Sequence, residues 1–428
     1  MIFVHASQVK NTSNVAVKYS VDKQEIQMAT GNSELPKLHP IVGFKLGTTS
    51  AGIKTAGRPD LVIMEVSENS SVAALFTKNA FCAAPVTVCK QRLSRCRPRY
   101  LVTNTGNANA GTGEQGLLDA TLTCSNLAAL AGVDIDTILP FSTGVIGEPL
   151  PMDRLLAGLP GAFANLRESG WAEAAEGILT TDTRTKGSSV QFGDDTPITI
   201  TGIAKGSGMI KPNMATMLAY IATDAAVDDE LLHRALTLAT EKSFNRITVD
   251  SDTSTNDSVV LIATGASGVS IDEISFDNFV EHLTKVFTDL AQAIIRDGEG
   301  ATKFVSVVID GAASQAEALQ VAYAIAESPL VKTALSASDP NWGRILAAIG
   351  RSGAKDLDVN EVQLLLNSVL IADHGARAST YSEDAGKAAM EPEDIEIRVR
   401  LNRGSISETV WTTDLTNEYV RINAEYRT

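Results

Sequence analysis

Cysteine and histidine are scarce in this sequence, and their spacing argues against several common kinds of site. Its cysteines, Cys82, Cys89, Cys96 and Cys124, form no C-x-x-C pair, the spacing typical of zinc ribbons and thioredoxin-like redox sites. Its five histidines include no H-E-x-x-H motif and no two within a helical turn of each other. The sequence therefore predicts neither a metal site nor a histidine-based triad. So few thiols in so long a chain suit a reducing cytosol.

The sequence also lacks net positive charge and long apolar runs. Its 36 basic and 51 acidic residues give a formal charge of −15, which disfavours nonspecific binding to nucleic acid or to an anionic membrane. No apolar segment approaches the roughly 18 residues that span a bilayer. Residues 1–7 have neither the basic region nor the apolar run of a signal peptide. We expect a cytoplasmic protein without nucleic-acid or membrane partners.

The overall composition is that of a globular protein large enough for more than one domain. With 428 residues, 44% hydrophobic and 20% charged, it has room for two or three domains at roughly 100–200 residues each. Residues 1–36 are polar and aperiodic, which predicts a loosely held extension. From Ile41 onward apolar β-rich runs alternate with helical patterns. The fold class is therefore predicted to be α/β or α+β.

Individual elements follow from apolar periodicity. Helices are predicted from Asp277 to Ile294, from Ser314 to Ser328, and from Leu117 to Ala131, where Gly132 suits the position after a helix end. Strands are predicted for Leu61–Val66, Tyr100–Asn104, Ile198–Ile203, Val259–Ala263 and Phe304–Ile309.

The last strands are predicted to form a hairpin. Apolar residues alternate with charged ones over Ile395–Leu401, which indicates a strand with one wet face. The turn formers at 402–404 then lead into Ser405–Trp411.

For three polar or glycine-rich stretches, a structural interpretation is preferred over a functional one. Gly111–Gly116 matches G-x-G-x-x-G, but residues 105–110 separate it from the preceding strand, so a dinucleotide site is only an alternative. Asp250–Asp257 predicts an Asx-type turn, with a cation or polar substrate as the alternative. Asp339–Gly343 predicts a turn that opens a helix over Arg344–Ile349.

The most informative stretch is Lys205–Ala222. A Gly/Ser/Pro/Asn-rich approach leads to Ala215-Thr216 and then to an apolar run, which by default indicates a loop entering a core strand. A functional reading needs a chain break before Thr216. Attack of its hydroxyl on the Ala215 carbonyl, followed by an N→O acyl shift and hydrolysis, would leave a free α-amine at Thr216 to act as its base.

This stretch resembles the processing-site motif of the ornithine acetyltransferases (glutamate N-acetyltransferases) of arginine biosynthesis. The resemblance runs from about residue 40 to the C-terminus, with the motifs in the family's order. Besides Lys205–Ala222 it includes Thr48–Lys54, Asn104–Gly113, Ser142–Gly147, Thr180–Thr183, Asp297–Lys303, Asp339–Arg344 and Tyr419–Thr428. One departure is Ser251, which stands where the family pattern has glycine.

The resemblance implies self-cleavage between Ala215 and Thr216 and a ping-pong transfer of acetyl from N-acetylornithine to glutamate through Thr216. It implies an oxyanion hole made by the Thr143 hydroxyl and the Gly144 N–H. Substrate contacts are implied for Lys205, Glu299, Asn423, Thr428 and one of Thr180 and Thr183. No cofactor or metal is implied, although some family members also accept acetyl-CoA as the acetyl donor.

The family fold implied is a layered αββα, N-terminal-nucleophile-like arrangement. We expect a catalytic region over residues 37–302, a smaller C-terminal α/β domain over 303–428, and fragments 1–215 and 216–428 that assemble as α2β2. A self-processing aminopeptidase or amidohydrolase of related fold stays open as an alternative. More distant alternatives are a dinucleotide-binding oxidoreductase and a catalytically silent binding protein.

Overall fold

The computed structural model describes residues 29–32, 34–211 and 217–425, which form mixed α/β structure. The strands are β1 (Phe44–Thr49), β2 (Leu61–Val66), β3 (Ser71–Phe76), β4 (Tyr100–Asn107), β5 (Ile138–Val145), β6 (Lys186–Phe192), β7 (Ile198–Lys205), β8 (Leu218–Thr223), β9 (Ile247–Thr248), β10 (Ser258–Ala263), β11 (Phe304–Ala312), β12 (Gln363–Leu366), β13 (Val369–Asp373), β14 (Ala376–Arg377), β15 (Asp394–Arg400) and β16 (Ile406–Thr413). The α-helices are α1 (Ala84–Leu93), α2 (Gly113–Ala131), α3 (Met152–Ala164), α4 (Trp171–Gly177), α5 (Asp229–Glu241), α6 (Phe276–Arg296), α7 (Gln315–Ala326), α8 (Pro329–Ser336), α9 (Trp342–Gly350), α10 (Glu383–Met390) and α11 (Asn417–Ala424).

Two sheets pack face to face at the centre of the fold. One has the strand order β1-β2-β4-β5, and the other has the order β3-β10-β8-β7-β6. Strand β8 is buried on both faces. Its residues Leu218, Tyr220 and Ala222 share a core with the first sheet, whereas Ala219 and Ile221 face the helices behind their own sheet. Such alternation follows from the two-residue period of a strand.

Helices cover the outer faces of both sheets. Helices α2 and α3 pack on the first sheet, and α5 and α6 pack on the second. The apolar stripe of α6 explains its position, because ten of its residues are buried against the sheet and α5. The result is the layered αββα arrangement expected, and the mixed α/β class is confirmed.

A third sheet carries the C-terminal part of the chain, and it corrects the predicted hairpin. Its order is β14-β13-β12-β15-β11-β16-β9. Strand β11 lies between β15, which it pairs in parallel, and β16, which it pairs antiparallel. The turn at 402–404 therefore crosses the end of β11, where Arg403 and Gly404 donate to the Gly311 carbonyl. The hairpin prediction was wrong because alternation and a turn identify two strands but do not show whether a third strand pairs between them.

Most local predictions are confirmed, with bounds that differ by a few residues. The predicted strands coincide with β2, β4, β7, β10 and β11. Helix α2 begins four residues earlier than expected, at Gly113, and Gly132 follows its end with φ of 69°, in the left-handed region that favours glycine. The Ser314 side chain caps α7. The turn at 339–343 leads into α9, which starts at Trp342.

The predicted extension lies mostly outside the described residues, which omit 1–28 and Ser33. Thr30 is buried, and its N–H donates to the Arg296 carbonyl at 2.9 Å. No helix in the described ranges has the length and apolarity to cross a membrane. The domain boundaries at 36/37 and 302/303 stay predictions.

Candidate active site

A cavity of about 230 Å³ lies where strand ends of the two central sheets meet helix α11. Six of the residues singled out from the sequence line it together: Thr143, Gly144, Thr180, Lys205, Glu299 and Asn423. They come from five separate stretches of the chain, so only the tertiary fold brings them together.

Thr143 and Gly144 lie at the end of β5, beside Thr105 and Gly106 of β4. The backbone at Gly144 has φ of 134°, and a Cβ there would come within 2.2 Å of the Gly106 carbonyl carbon. Only glycine fits such a close backbone approach. The Thr143 hydroxyl accepts a hydrogen bond from Lys205 Nζ at 3.4 Å, so its own proton is free to be donated elsewhere.

Lys205 stands beside a buried network of charges that the sequence reasoning missed. Its Nζ lies 3.9 Å from the Asp182 carboxylate, and Lys186 bridges Asp182 and Asp297 with contacts of 2.6 Å each. Burial alone would raise the pKa of Asp182, but the Lys186 and Lys205 ammonium groups hold it below its ordinary value. Burial lowers the pKa of Lys205, while Asp182 opposes that shift. Both acids lie inside motifs quoted above, which was the available signal.

Asp182 also fixes the backbone around the cavity. It accepts hydrogen bonds from the N–H of Thr180 at 3.0 Å and from the N–H of Gly206 at 2.6 Å. Thr183 has a different role, since its N–H and hydroxyl both donate to Asp297. Thr180 lines the cavity and Thr183 is not among the described lining residues. A substrate contact by either threonine stays a prediction.

Glu299 is held in the cavity wall by polar neighbours. Asn423 donates to its carboxylate at 2.7 Å, and a Cβ at Gly208 would come within 2.4 Å of it. Burial raises the pKa of Glu299, against the lowering effect of hydrogen bonds from Thr181 and Asn423. A buried carboxylate in this position is suited to bind an ammonium group.

The polar turn at 250–257 contributes more to the site than the sequence indicated. Its last four residues, Ser254–Asp257, line the cavity. Asn256 donates from its side chain to the Ala108 and Ser142 carbonyls, which ties the turn to the loop after β4 and to β5. The departure at Ser251 matters locally, because its φ of 71° lies in the region that favours glycine.

Three predicted residues, Ala215, Thr216 and Thr428, lie outside the described residues. Met217, the residue bonded to Thr216 in the sequence, lines the cavity. The G-x-G-x-x-G stretch is not among the lining residues in the described chain; Gly116 lies in the first turn of α2, where a Cβ would meet the Thr112 hydroxyl at 2.0 Å.

This chain is similar to known proteins over most of its length. A sequence model of the ArgJ family matches residues 45–428. The "Arginine biosynthesis bifunctional protein ArgJ" of Pseudomonas fluorescens is 56% identical over 408 residues, covering 94% of this chain and all of that protein.

Two solved structures are also similar. The Bacillus halodurans ArgJ protein is 41% identical over 49% of this chain and 99% of its own, with a TM-score of 0.47. A Mycobacterium tuberculosis ornithine acetyltransferase complexed with ornithine is 34% identical over 41% of this chain and 94% of its own, with a TM-score of 0.37. From the match over nearly the whole sequence, this chain belongs to the ArgJ family.

Proposed function

We propose that this protein transfers an acetyl group from N-acetylornithine to glutamate, through an acetyl-Thr216 intermediate formed after self-cleavage at Ala215-Thr216. The observation that carries the proposal is the cavity in which Thr143, Gly144, Lys205 and Glu299 meet beside Met217. Family membership supports the same activity, and the relative from Pseudomonas fluorescens is named for arginine biosynthesis.

The chemistry begins with the nucleophile. A threonine hydroxyl within a chain has no base of its own and attacks weakly. Cleavage gives Thr216 an α-amine, whose reference pKa is about 7.7–8.0, and this amine accepts the hydroxyl proton during attack. Transfer to the hydroxyl splits the exchange into two acyl transfers of similar kind, which is the ping-pong cycle.

Each half-reaction passes through a tetrahedral oxyanion that needs fixed donors. The Thr143 hydroxyl suits this task, because Lys205 already occupies one of its lone pairs. The Gly144 N–H is the proposed second donor. Donor groups of this type lower the barrier because they are oriented before charge develops.

Charge complementarity supports amino-acid substrates. Both substrates carry an α-carboxylate, which an ammonium such as that of Lys205 binds well. Glu299 is proposed to bind the side-chain ammonium of ornithine, with Asn423 orienting its carboxylate at 2.7 Å. Thr428 and one of Thr180 and Thr183 complete the proposed contacts.

Two further properties belong to the proposal. The fragments 1–215 and 216–428 are proposed to stay associated, as α2β2. Acetyl-CoA is the second candidate acetyl donor, because its thioester would need only to reach Thr216. The assay is therefore run with N-acetylornithine and with acetyl-CoA. The reaction itself requires no metal or prosthetic group in this scheme.

The first experiment measures the intact mass of the denatured protein and sequences the N-terminus of each species. Two fragments, one of them beginning Thr-Met-Leu-Ala-Tyr, are expected. An acetyl-exchange assay between N-acetylornithine and glutamate then separates transfer from hydrolysis, in which water takes the acetyl group.

Thr216→Ala is expected to abolish both cleavage and exchange. A Thr216→Ala chain that is still cut at this bond would refute the assignment of Thr216 as the nucleophile. Fragments that release acetate without forming N-acetylglutamate would favour the hydrolase alternative.

A further inference from the structure

Asp257 is a buried acid in the cavity wall to which the scheme above gives no role. It is 2% exposed, and its Oδ2 has no hydrogen-bond partner among the residues that the structure describes. It lies directly before β10, next to the start of β8, because the Ser258 N–H donates to the Met217 carbonyl at 2.9 Å. A buried, unpaired carboxyl oxygen on a residue that lines the cavity needs an explanation.

The surroundings of Asp257 favour its neutral form at rest. Burial raises the pKa of the Asp257 carboxyl well above its ordinary value, against the lowering effects of hydrogen bonds from Ser254 and the charge of Lys205. Lys205 approaches from β7, and Glu299 lines the same cavity. A carboxyl of this kind keeps its proton to a higher pH than an exposed acid does, and it can release that proton to a base.

Acetyl exchange between two amines includes a proton transfer that the Thr216 α-amine does not perform. That amine moves the hydroxyl proton from Thr216 to the departing nitrogen, so the first product is formed as a neutral amine. In water, α-amino groups are largely protonated at neutral pH. The incoming glutamate must therefore lose one proton before its nitrogen can attack, and the departing ornithine gains one.

We propose that Asp257 carries this proton between the two half-reactions. As ornithine leaves, Asp257 Oδ2 gives its proton to the released amine and becomes a carboxylate. When glutamate enters, the carboxylate takes a proton from its ammonium group, and the neutral amine attacks acetyl-Thr216. The carboxyl ends each cycle protonated, as it began, and no other reactant is needed. This inference rests on the proposed acetyl transfer.

The test compares an acceptor that must lose a proton before its nitrogen attacks with an acceptor whose nitrogen is already neutral. Acetyl-Thr216 is formed from p-nitrophenyl acetate, whose leaving group departs without protonation, and is then offered glutamate or hydroxylamine. Hydroxylamine is neutral at pH 7, whereas glutamate arrives as an ammonium ion. In Asp257→Asn, transfer to glutamate at pH 7 is expected to fall by about 10²–10⁴-fold, the usual contribution of general acid–base catalysis. Transfer to hydroxylamine should change only a few-fold.

The pH profile and two further variants sharpen the result. Raising the pH supplies neutral glutamate from solution, so transfer by Asp257→Asn should recover while the wild-type rate changes less. Asp257→Glu keeps the carboxyl and should retain part of the glutamate rate. Asp252→Asn removes an exposed acid in the same loop and serves as the matched control, with both acceptor rates unchanged.

Equal losses with the two acceptors, or equal losses in Asp257→Asn and Asp257→Glu, would overturn the proton-carrying role. An Asp257→Asn chain that is never cleaved would overturn it too and assign the acid to processing. Failure of the proposed function has a different signature: wild-type protein would pass its acyl group to hydroxylamine but not to glutamate. The same comparison is then made with ornithine, a second ammonium acceptor.

Discussion

Replacement of Lys186 by methionine tests the buried charge network beneath the cavity. The Lys186 side chain is fully buried and touches Asp182 and Asp297 at 2.6 Å each, and both of those acids are fully buried as well. Methionine keeps most of the length of the lysine side chain but carries no charge. The variant therefore leaves two acids without their shared cation in a place that water does not reach.

The size of the effect follows from that burial. Removing one partner of a buried ion pair costs about 3–5 kcal/mol in the free energy of unfolding, because the remaining charge stays unpaired. The matched control is Lys285→Met, which breaks a 2.8 Å pair with Asp289 whose side chains are 63% and 43% exposed. An exposed pair in a helix contributes about 0.3–0.5 kcal/mol, so the control should differ little from wild type.

The assay is urea denaturation followed by circular dichroism at several pH values. In the wild type the lowered pKa of Asp182 gives stability that is present above its unfolded pKa of about 3.9 and is lost as the pH falls through the folded value. Without Lys186, burial favours the neutral acid, which raises the folded pKa. The deficit of Lys186→Met should therefore be largest at pH 7 and shrink toward pH 4–5.

Two results would refute this reasoning. A loss in Lys186→Met no larger than that in Lys285→Met would mean that the network contributes little to stability. A deficit that stayed constant with pH would mean that lost packing, rather than unpaired charge, caused the change.

Three further variants test other features of the site. Thr143→Ala should lower turnover by about 10²–10³-fold, as for one lost oxyanion donor, and near-normal turnover would remove its hydroxyl from the hole. Glu299→Gln should raise the KM for N-acetylornithine. Because the pKa of Glu299 is raised, mild acidification should neutralise this carboxylate and raise the wild-type KM as well. A KM equally sensitive to pH in the variant would argue against this contact. Ser251→Gly should stabilise the fold by a net of roughly 0.5–1 kcal/mol, because relief of the left-handed strain at φ of 71° outweighs the extra backbone entropy that glycine loses on folding. An unchanged urea midpoint would contradict that local strain.

Much of the candidate site was accessible from the sequence because its residues lie in long motifs. Thr143, Lys205 and Glu299 were selected in this way, and the structure brings all three to one cavity. Asp182 lies within one of these motifs but was not selected, and Asp257 was included only as the last residue of a polar turn, with a cation or polar substrate as the alternative. A lone acid is usually a solvated charge, and nothing in its sequence neighbours reports that it is buried.

What the sequence determined by itself was local. A stripe with helical spacing specified α6, and a glycine able to adopt positive φ marked the end of α2. Both follow from forces that act within a few residues, so periodicity and single residue types are enough to identify them.

Only the tertiary structure decided how distant segments combine. It inserted β11 between β15 and β16, and it joined Lys186 to Asp297 across 111 residues of chain. It also buried Asp257 beside Met217. Strand partners and buried charges depend on which surfaces the whole fold removes from water, and no local pattern carries that information.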